Sequence, residues 1–177
     1  MARQHAAFAE PGQRERAAAL IAERCAVPDL VARLLLARGI GPDEAAGFLA
    51  PSLKAELPDP AHLKGMEAAV DRLARAVLRG ETVAIFGDYD VDGATSAALL
   101  QGYLQDVGAT VRVYVPDRIA EGYGPNAPAL LRLQAEGAAV AVTVDCGITG
   151  FDALEAAAEA GLDVIVVDHH AAEPRLP

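Results

Sequence analysis

Residues 82–93 read TVAIFGDYDVDG. The first half of this stretch is a short apolar run rich in β-branched residues, and the second half places three aspartates at alternate positions before a glycine. A continuous apolar run of this length is typical of a strand buried on both faces of a parallel sheet. Because ligands of open α/β sheets bind at the carboxyl ends of the strands, the aspartates that follow the run predict a polar site there.

The same alternation continues downstream. Apolar runs recur at 110–115, 139–144 and 163–167, and helical stretches that each end at a glycine separate them. Glycine tolerates the left-handed backbone found just past a helix end. The alternation of strand and helix therefore predicts an α/β fold, with an open parallel sheet and flanking helices.

The part of the chain before this domain has a different pattern. Residues 1–16 are polar and predict a flexible N-terminus, and residues 17–80 read as a small helical segment that leads into the α/β domain at 81–177. The last helix of the lead-in carries arginines at 72, 75 and 79. These arginines are interpreted either as a solvated surface or as an edge that binds nucleic acid.

Charge is distributed unevenly along the chain. Residues 1–80 contain 11 basic and 10 acidic residues, a balance of +1, whereas residues 81–177 contain 4 and 15, a balance of −11. A chain of net charge −10 lacks the basic surface expected of a nucleic-acid binder. A polyanionic substrate would be held through metal ions, through a few local arginines, or by another part of the protein.

The sequence also indicates the cellular compartment of the protein. No apolar run reaches the roughly 18–20 residues needed to cross a bilayer, and the polar N-terminus has no apolar signal core. The two cysteines, Cys25 and Cys146, are too few for a disulfide framework and are expected to be free thiols. These features predict a cytoplasmic protein that makes no contact with a membrane.

The residues that follow the predicted strands are rich in metal-ligand types. The first strand is followed by DYDVDG at 88–93, the second by PDR at 116–118, the third by DCG at 145–147 and the fourth by DHH at 168–170. All four ends lie at one edge of a parallel sheet. Convergence of carboxylates and imidazoles at one edge is what a divalent-metal site requires.

Five side chains form the predicted ligand set. Asp90 and Asp92 are two positions apart, so on an extended segment they point to the same side, which Asp88 shares. Asp145 and His169 complete a set of four carboxylates and one imidazole. Mixed ligands of this kind suit Mn²⁺ better than an all-oxygen Mg²⁺ or Ca²⁺ site. The number of acids predicts two ions about 3.5–4 Å apart.

Two other sites share part of this pattern. An EF-hand loop beginning at Asp88 would need glutamate at its twelfth position, where this chain has Leu99, and would follow a helix rather than a strand. In a phosphatase of the haloacid-dehalogenase type, Asp90 would be a covalent nucleophile and Asp92 a general acid. That fold also needs a later lysine, and no lysine follows residue 81.

The remaining candidates lie in the loops. His169 and His170 directly follow Asp168 at a strand end, a position that favours function over an ordinary polar loop. Cys146 has no obvious basic partner and is interpreted as a small packed residue. The loop after the second strand is either an ordinary connection or a group of side chains that hold phosphate or base, namely Arg118, Glu121, Gly122, Tyr123 and Gly124.

The motifs at 88–93, 144–147 and 168–170 resemble the first three motifs of the DHH phosphoesterase superfamily. The loop at 116–124 and the helical lead-in are similar in particular to the single-strand-specific exonucleases of that superfamily. The resemblance covers roughly residues 28–177. It implies a 5′→3′ exonuclease of single-stranded DNA, active in repair and recombination, that releases 5′-mononucleotides by a two-metal mechanism. The alternatives are another DHH hydrolase, acting on oligonucleotides, cyclic dinucleotides or pyrophosphate, and a non-enzymatic fragment.

The resemblance also implies a role for each motif residue. The metal ligands, for Mn²⁺ or Mg²⁺, would be Asp88, Asp90, Asp92, Asp145 as the bridge, and His169. Asp168 would orient a ligand or a histidine, and His170 would contact the scissile phosphate. The residues that bind substrate would be Arg118, Gly122, Tyr123 and Gly124. The superfamily has a fourth aspartate motif and a second domain beyond the DHH triplet, so the chain is expected to be part of a longer enzyme.

Overall fold

The structure is a computed structural model that describes residues 11–177. The described residues form two compact units, which divide after residue 60. The two units divide at residue 60 because the helix before the first strand packs on the sheet, and the division of the chain into a lead-in and an α/β domain stays a prediction. Of the N-terminus predicted to be flexible, residues 1–10 lie outside the described part, and residues 11–16 belong to the first helix.

Between residues 11 and 60, the first unit contains four helices. They are α1 (Pro11–Cys25), α2 (Asp29–Ala37), α3 (Ala45–Leu49) and α4 (Leu53–Glu56). Ile21, Leu35 and Leu36 are buried at its centre among small alanines, which allow the helices to approach closely. The short helix α4 is capped by the Ser52 side chain, which accepts a hydrogen bond from the Ala55 N–H at 3.3 Å.

The second unit alternates helices and strands. A single 3₁₀ turn at Pro60–His62 lies at the boundary, and the elements that follow are α5 (Met66–Arg79), β1 (Thr82–Gly87), α6 (Val91–Asp106), β2 (Thr110–Tyr114), α7 (Ala127–Ala135), β3 (Ala138–Val144), α8 (Phe151–Glu159) and β4 (Asp163–Val167). All strand pairs are parallel, and the strand order is β2-β1-β3-β4. The predicted open parallel sheet with flanking helices is confirmed.

The central strand β1 is buried on both faces. Val83 and Ile85 pack on one face in a cluster that includes residues of α5 and α6. Ala84 and Phe86 point to the other face and pack with residues of α7 and α8. This two-sided burial explains why the strand reads as a continuous apolar run. Within residues 11–177, no helix is long and apolar enough to cross a membrane.

Arg72 of α5 is bound at the amino ends of the strands. Its guanidinium lies 2.5 Å from the Asp163 carboxylate and 2.7 Å from the Glu81 carboxylate, and it donates to the Ala139 carbonyl at 3.2 Å. These contacts lie at the edge of the sheet opposite to the predicted metal site. The Arg72 side chain therefore belongs to an internal ion-pair network rather than to a free basic surface.

Candidate metal centre

Asp88 and Asp90 lie where the chain leaves β1 and enters α6. Asp88 is buried, and one of its carboxylate oxygens accepts a hydrogen bond from the Tyr89 N–H at 2.8 Å. Asp90 is the N-cap residue of α6, and its carboxylate accepts from the Gly93 N–H at 3.0 Å. That hydrogen bond is the main reason why the pKa of Asp90 lies below its usual value.

Asp92 lies in helix α6 rather than on an extended segment with Asp88 and Asp90. The cap provided by Asp90 starts helix α6 at Val91, so Asp92 lies in the first helical turn. The prediction of an extended segment through Asp92 is therefore wrong. Asp92 is exposed and lies outside both groups of closely spaced ligand atoms, and its assignment as a ligand stays a prediction.

Gly93 allows the helix to start directly against the end of β1. A Cβ atom on Gly93 would lie 2.4 Å from the Asp88 carbonyl oxygen and 2.6 Å from the Asp88 nitrogen. No side chain fits at this distance from backbone. The glycine that closes the DYDVDG motif is therefore required by the close approach of α6 to Asp88.

Asp145 follows β3 and has an unusual backbone conformation. Its φ angle is 62°, a left-handed value that is uncommon for residues other than glycine. Its N–H donates to the Val167 carbonyl of the neighbouring strand β4 at 2.9 Å. The carboxyl group is buried, and this burial, reinforced by the negative charge of Asp90, raises its pKa.

The two histidines after β4 contact different aspartates. His169 Nε2 lies 3.0 Å from Asp145 Oδ1, and His170 Nδ1 lies 2.7 Å from Asp168 Oδ1. The Asp168 side chain is 1% exposed and also accepts from the N–H groups of His170 and Ile148, at 3.0 and 2.9 Å. The Asp168 carboxylate, which accepts a hydrogen bond from the protonated His170 ring, raises the pKa of His170.

Two groups of possible metal ligands share one residue. Asp88, Asp90 and Asp145 offer oxygen atoms that all lie within 4.8 Å of one another. Asp145, His169 and His170 offer a second such group within the same distance. A cation among these carboxylates would relieve the repulsion that raises the pKa of Asp145, and the mixture of carboxylate and imidazole suits Mn²⁺. The donor set therefore fits two adjacent divalent ions.

The loop after β2 lies beside these groups. The Tyr123 hydroxyl donates to the Asp145 carbonyl oxygen at 3.2 Å and lies 3.3 Å from His170 Nδ1. Burial and the surrounding carboxylates raise the pKa of Tyr123 to about 12, so the hydroxyl keeps its proton at neutral pH. The Arg118 guanidinium lies 5.0 Å from the centre of the Tyr89 ring, which is within the range of a cation–π contact.

The glycines of this loop set its path. Gly122 and Gly124 both have positive φ angles, 82° and 80°, on either side of Tyr123. They turn the chain so that Tyr123 faces Asp145 and His170, and the structure shows no ligand-binding feature of the glycines themselves. The sequence interpretation gave no role to Tyr89, although its place between Asp88 and Asp90 puts its ring next to the site.

Cys146 is separated from solvent. It is buried, and burial raises the pKa of its thiol to about 12. A thiol that stays protonated at neutral pH is a poor nucleophile. The structure thus agrees with the interpretation of Cys146 as a small packed residue.

Comparison with known proteins identifies related families. Residues 82–177 match the sequence profile of the DHH family, N-terminal domain. The single-stranded-DNA-specific exonuclease RecJ of Bacillus subtilis is 41% identical over 157 residues, which are 89% of this chain and 20% of that protein. RecJ of Escherichia coli is 38% identical over 152 residues, 85% of this chain and 26% of that protein. The chain thus spans about a fifth to a quarter of the length of these curated relatives.

Solved structures show the same likeness. A crystal structure of exonuclease RecJ bound to manganese matches with a TM-score of 0.61 and 38% identity, covering 65% of this chain and 30% of that one. RecJ from Thermus thermophilus in complex with Mn²⁺ matches with a TM-score of 0.69 and 28% identity, covering 92% of this chain and 22% of that one. The fold is therefore shared with proteins that bind Mn²⁺ in their crystals.

Proposed function

This chain belongs to the DHH family, and on that premise we propose that it contributes the metal-binding half of a RecJ-type exonuclease, which removes 5′-mononucleotides from single-stranded DNA during repair and recombination. The observation that carries the proposal is the pair of ligand groups that meet at Asp145. A shared carboxylate between two adjacent cation positions is the arrangement used by two-metal phosphodiesterases.

Four side chains are proposed to hold the two cations, Mn²⁺ or Mg²⁺. Asp145 takes the bridging position because it is the common member of both groups, Asp88 and Asp90 complete one site, and His169 belongs to the other. Asp92 is proposed as a further ligand or as a residue that orients one, from the first turn of α6. When bound, such ions activate water as a nucleophile and neutralise charge on the phosphate.

His170 and Asp168 are proposed to act together on the phosphate. The buried Asp168 carboxylate holds the His170 ring through Nδ1, which leaves Nε2 free to face the substrate. The raised pKa of His170 favours the protonated ring, and a positive charge there would stabilise negative charge that develops on phosphate oxygens.

The loop of Arg118 and Tyr123 is proposed to bind the DNA strand. Arg118 is exposed and provides one of only four basic residues between positions 81 and 177. An arginine stacked on Tyr89 beside the metal groups can hold a phosphate with two hydrogen bonds. Because this unit is acidic overall, most of the affinity for DNA is proposed to come from the metal ions and from regions outside the unit. The protein is proposed to act in the cytoplasm, where its DNA substrate is found.

A substrate panel tests this proposal. In Mn²⁺, the chain is expected to shorten 5′-phosphorylated single-stranded DNA from its 5′ end, and EDTA is expected to stop the reaction. Asp145→Asn should abolish hydrolysis, whereas Asp106→Asn, at the exposed end of α6, should not. Hydrolysis of dinucleotides or pyrophosphate without attack on longer strands would favour another DHH hydrolase. Absence of both hydrolysis and Mn²⁺ binding would contradict the proposal.

A further inference from the structure

We infer that Glu121 is a positioning residue, whose carboxylate fixes the 117–124 loop so that Arg118 and Tyr123 face the metal groups. The inference rests on the proposed function in one respect, that this loop contacts the nucleic acid. The sequence grouped Glu121 with the candidates for holding phosphate or base. Its hydrogen bonds indicate a structural role instead, because its carboxylate is already occupied by other groups of the protein.

The Glu121 carboxylate joins three separate parts of the unit. It accepts a hydrogen bond from the Tyr114 hydroxyl of β2 at 2.5 Å, from the Asp117 N–H at 2.9 Å, and from the Asn126 side-chain amide at 3.3 Å. Asn126 is the N-cap of α7, where its own oxygen accepts from the Ala129 N–H. One carboxylate therefore ties together the end of β2, the start of the loop and the start of α7.

A second set of hydrogen bonds shapes the turn itself. The Asp117 carboxylate accepts from the N–H groups of Ile119 and Ala120, at 2.8 and 2.9 Å, and the Asp117 carbonyl accepts from the Glu121 N–H at 2.8 Å. The turn presents Arg118 and Ile119 outward, and Ile119 is 98% exposed. Without an apolar anchor at its tip, this turn depends on Asp117 and Glu121 for its conformation.

Tyr114, the partner of Glu121 on the sheet, is fixed by its packing against two neighbouring side chains. The Tyr114 ring packs against Phe86, with ring centres 5.3 Å apart, and the Arg132 guanidinium lies 4.8 Å from its centre. Phe86 is fully buried in the sheet. The Tyr114 hydrogen bond is also the main cause of the lowered pKa of Glu121, so the carboxylate is charged at neutral pH. Charged acceptors make stronger hydrogen bonds than neutral ones, which suits a residue that must hold a loop.

These contacts involve none of the possible metal ligands. Neither of the two ligand groups includes Glu121 or Tyr114. Replacing Glu121 should therefore alter the position of Arg118 and Tyr123 without removing a metal ligand. This separation distinguishes positioning of the substrate from assembly of the metal site.

The test uses the full 177-residue chain and compares Glu121→Ala, Glu121→Gln and Tyr114→Phe. Hydrogen exchange of the loop amides is expected to become roughly tenfold faster in Glu121→Ala, because all three hydrogen bonds are lost. Glu121→Gln and Tyr114→Phe each keep part of the set and should fall between Glu121→Ala and the parent. Affinity for a short oligodeoxythymidylate with hydrolysis-resistant phosphorothioate linkages, labelled at its 3′ end and measured in Mn²⁺, should fall by roughly tenfold in Glu121→Ala. Mn²⁺ affinity from calorimetry should not change.

Glu136→Gln is the matched control. It also removes a carboxylate that contacts β2, in this case through an ion pair with Arg112 in the middle of the strand. It should leave both the loop exchange and the DNA affinity at parental values. Unchanged loop exchange in Glu121→Ala, or faster exchange with no change in DNA affinity, would overturn the inference. A parent chain that binds no DNA would contradict the proposed substrate, while the exchange measurement would still decide whether Glu121 holds the loop.

Discussion

His169 Nε2 lies 3.0 Å from Asp145 Oδ1, although the two residues follow different strands. β3 and β4 are neighbours in the parallel sheet, and Val144 pairs with Val167 at their carboxyl ends. The residues just after these ends are therefore adjacent in space. The Asp145 N–H also donates to the Val167 carbonyl, which fixes the position of Asp145 relative to the strand that leads to the histidines.

Asp145→Asn is expected to weaken Mn²⁺ binding and to stabilise the metal-free protein. Calorimetry should show Mn²⁺ affinity reduced by at least about tenfold, because even outer partners of metal ligands have effects of this size. The pKa of Asp145 is raised, so the charged carboxylate is disfavoured in the folded state, and a neutral amide removes that penalty at neutral pH. The Tm in EDTA should therefore rise above the parental value. A variant that binds Mn²⁺ like the parent would contradict the assignment of Asp145.

Gly93→Ala is expected to destabilise the protein by roughly 1–3 kcal/mol, because the added methyl group collides with the backbone of Asp88. The control is Gly102→Ala in the same helix, where a Cβ meets nothing within 4 Å. That substitution should stabilise the helix by roughly 0.5–1 kcal/mol. Urea denaturation measures both changes. Equal effects of the two substitutions would show that Gly93 is not required by the close approach of α6.

Arg72→Ala is expected to lower the free energy of unfolding by about 2–3 kcal/mol, because the Glu81 carboxylate and the Ala139 carbonyl lose the hydrogen bonds that the guanidinium donates to them. Arg75→Ala, on an exposed position of the same helix, should change stability by less than about 0.5 kcal/mol. Chemical denaturation of both variants checks this difference. Similar losses in the two variants would contradict the network at the amino edge of the sheet.

His170 is expected to stabilise the metal-free protein only on the acidic side of neutrality. The Asp168 hydrogen bond raises its pKa in the folded state, so its contribution is fully present below the unfolded pKa of about 6.5 and disappears as the pH rises through the folded value. The Tm of His170→Gln should therefore fall below that of the parent near pH 6 and approach it in alkaline buffer.

His62→Gln serves as the control for the His170 measurement, since His62 is exposed in the turn before α5. As a substitution of an exposed residue, it should leave the Tm close to the parental value near pH 6, where the His170→Gln deficit is expected. A His170→Gln deficit that grows with pH would mean that the Asp168 contact does not favour the protonated ring.

Much of the fold was predictable because its signals are local. The apolar runs and the glycines after the helices placed all four strands within one residue of their observed bounds, beginning with Thr82–Gly87. The convergence of Asp88, Asp145 and His169 also followed from the sequence, because the carboxyl ends of parallel strands meet at one edge. The packing of α5 on the sheet did not follow from the sequence, because periodicity shows that a helix has an apolar face but does not show what that face packs against.

The details of the site depend on side-chain hydrogen bonds that sequence periodicity does not report. Whether Asp92 lies on an extended segment or in a helix was decided by the cap that Asp90 forms with Gly93. The role of Glu121 was decided by the Tyr114 hydroxyl, which comes from a neighbouring strand. Both of these hydrogen bonds form only when the folded backbone brings the donor and the acceptor together, and sequence periodicity does not show this.

The central claim is that Asp145 is shared by two cation positions, one with Asp88 and Asp90 and one with His169. Anomalous diffraction at the manganese edge, from crystals of this chain grown in Mn²⁺, tests it most directly. We expect two peaks about 3.5–4 Å apart with Asp145 oxygen atoms bonded to both ions. Manganese bound elsewhere on the surface, with no peak between Asp145 and its neighbouring ligands, would contradict the claim.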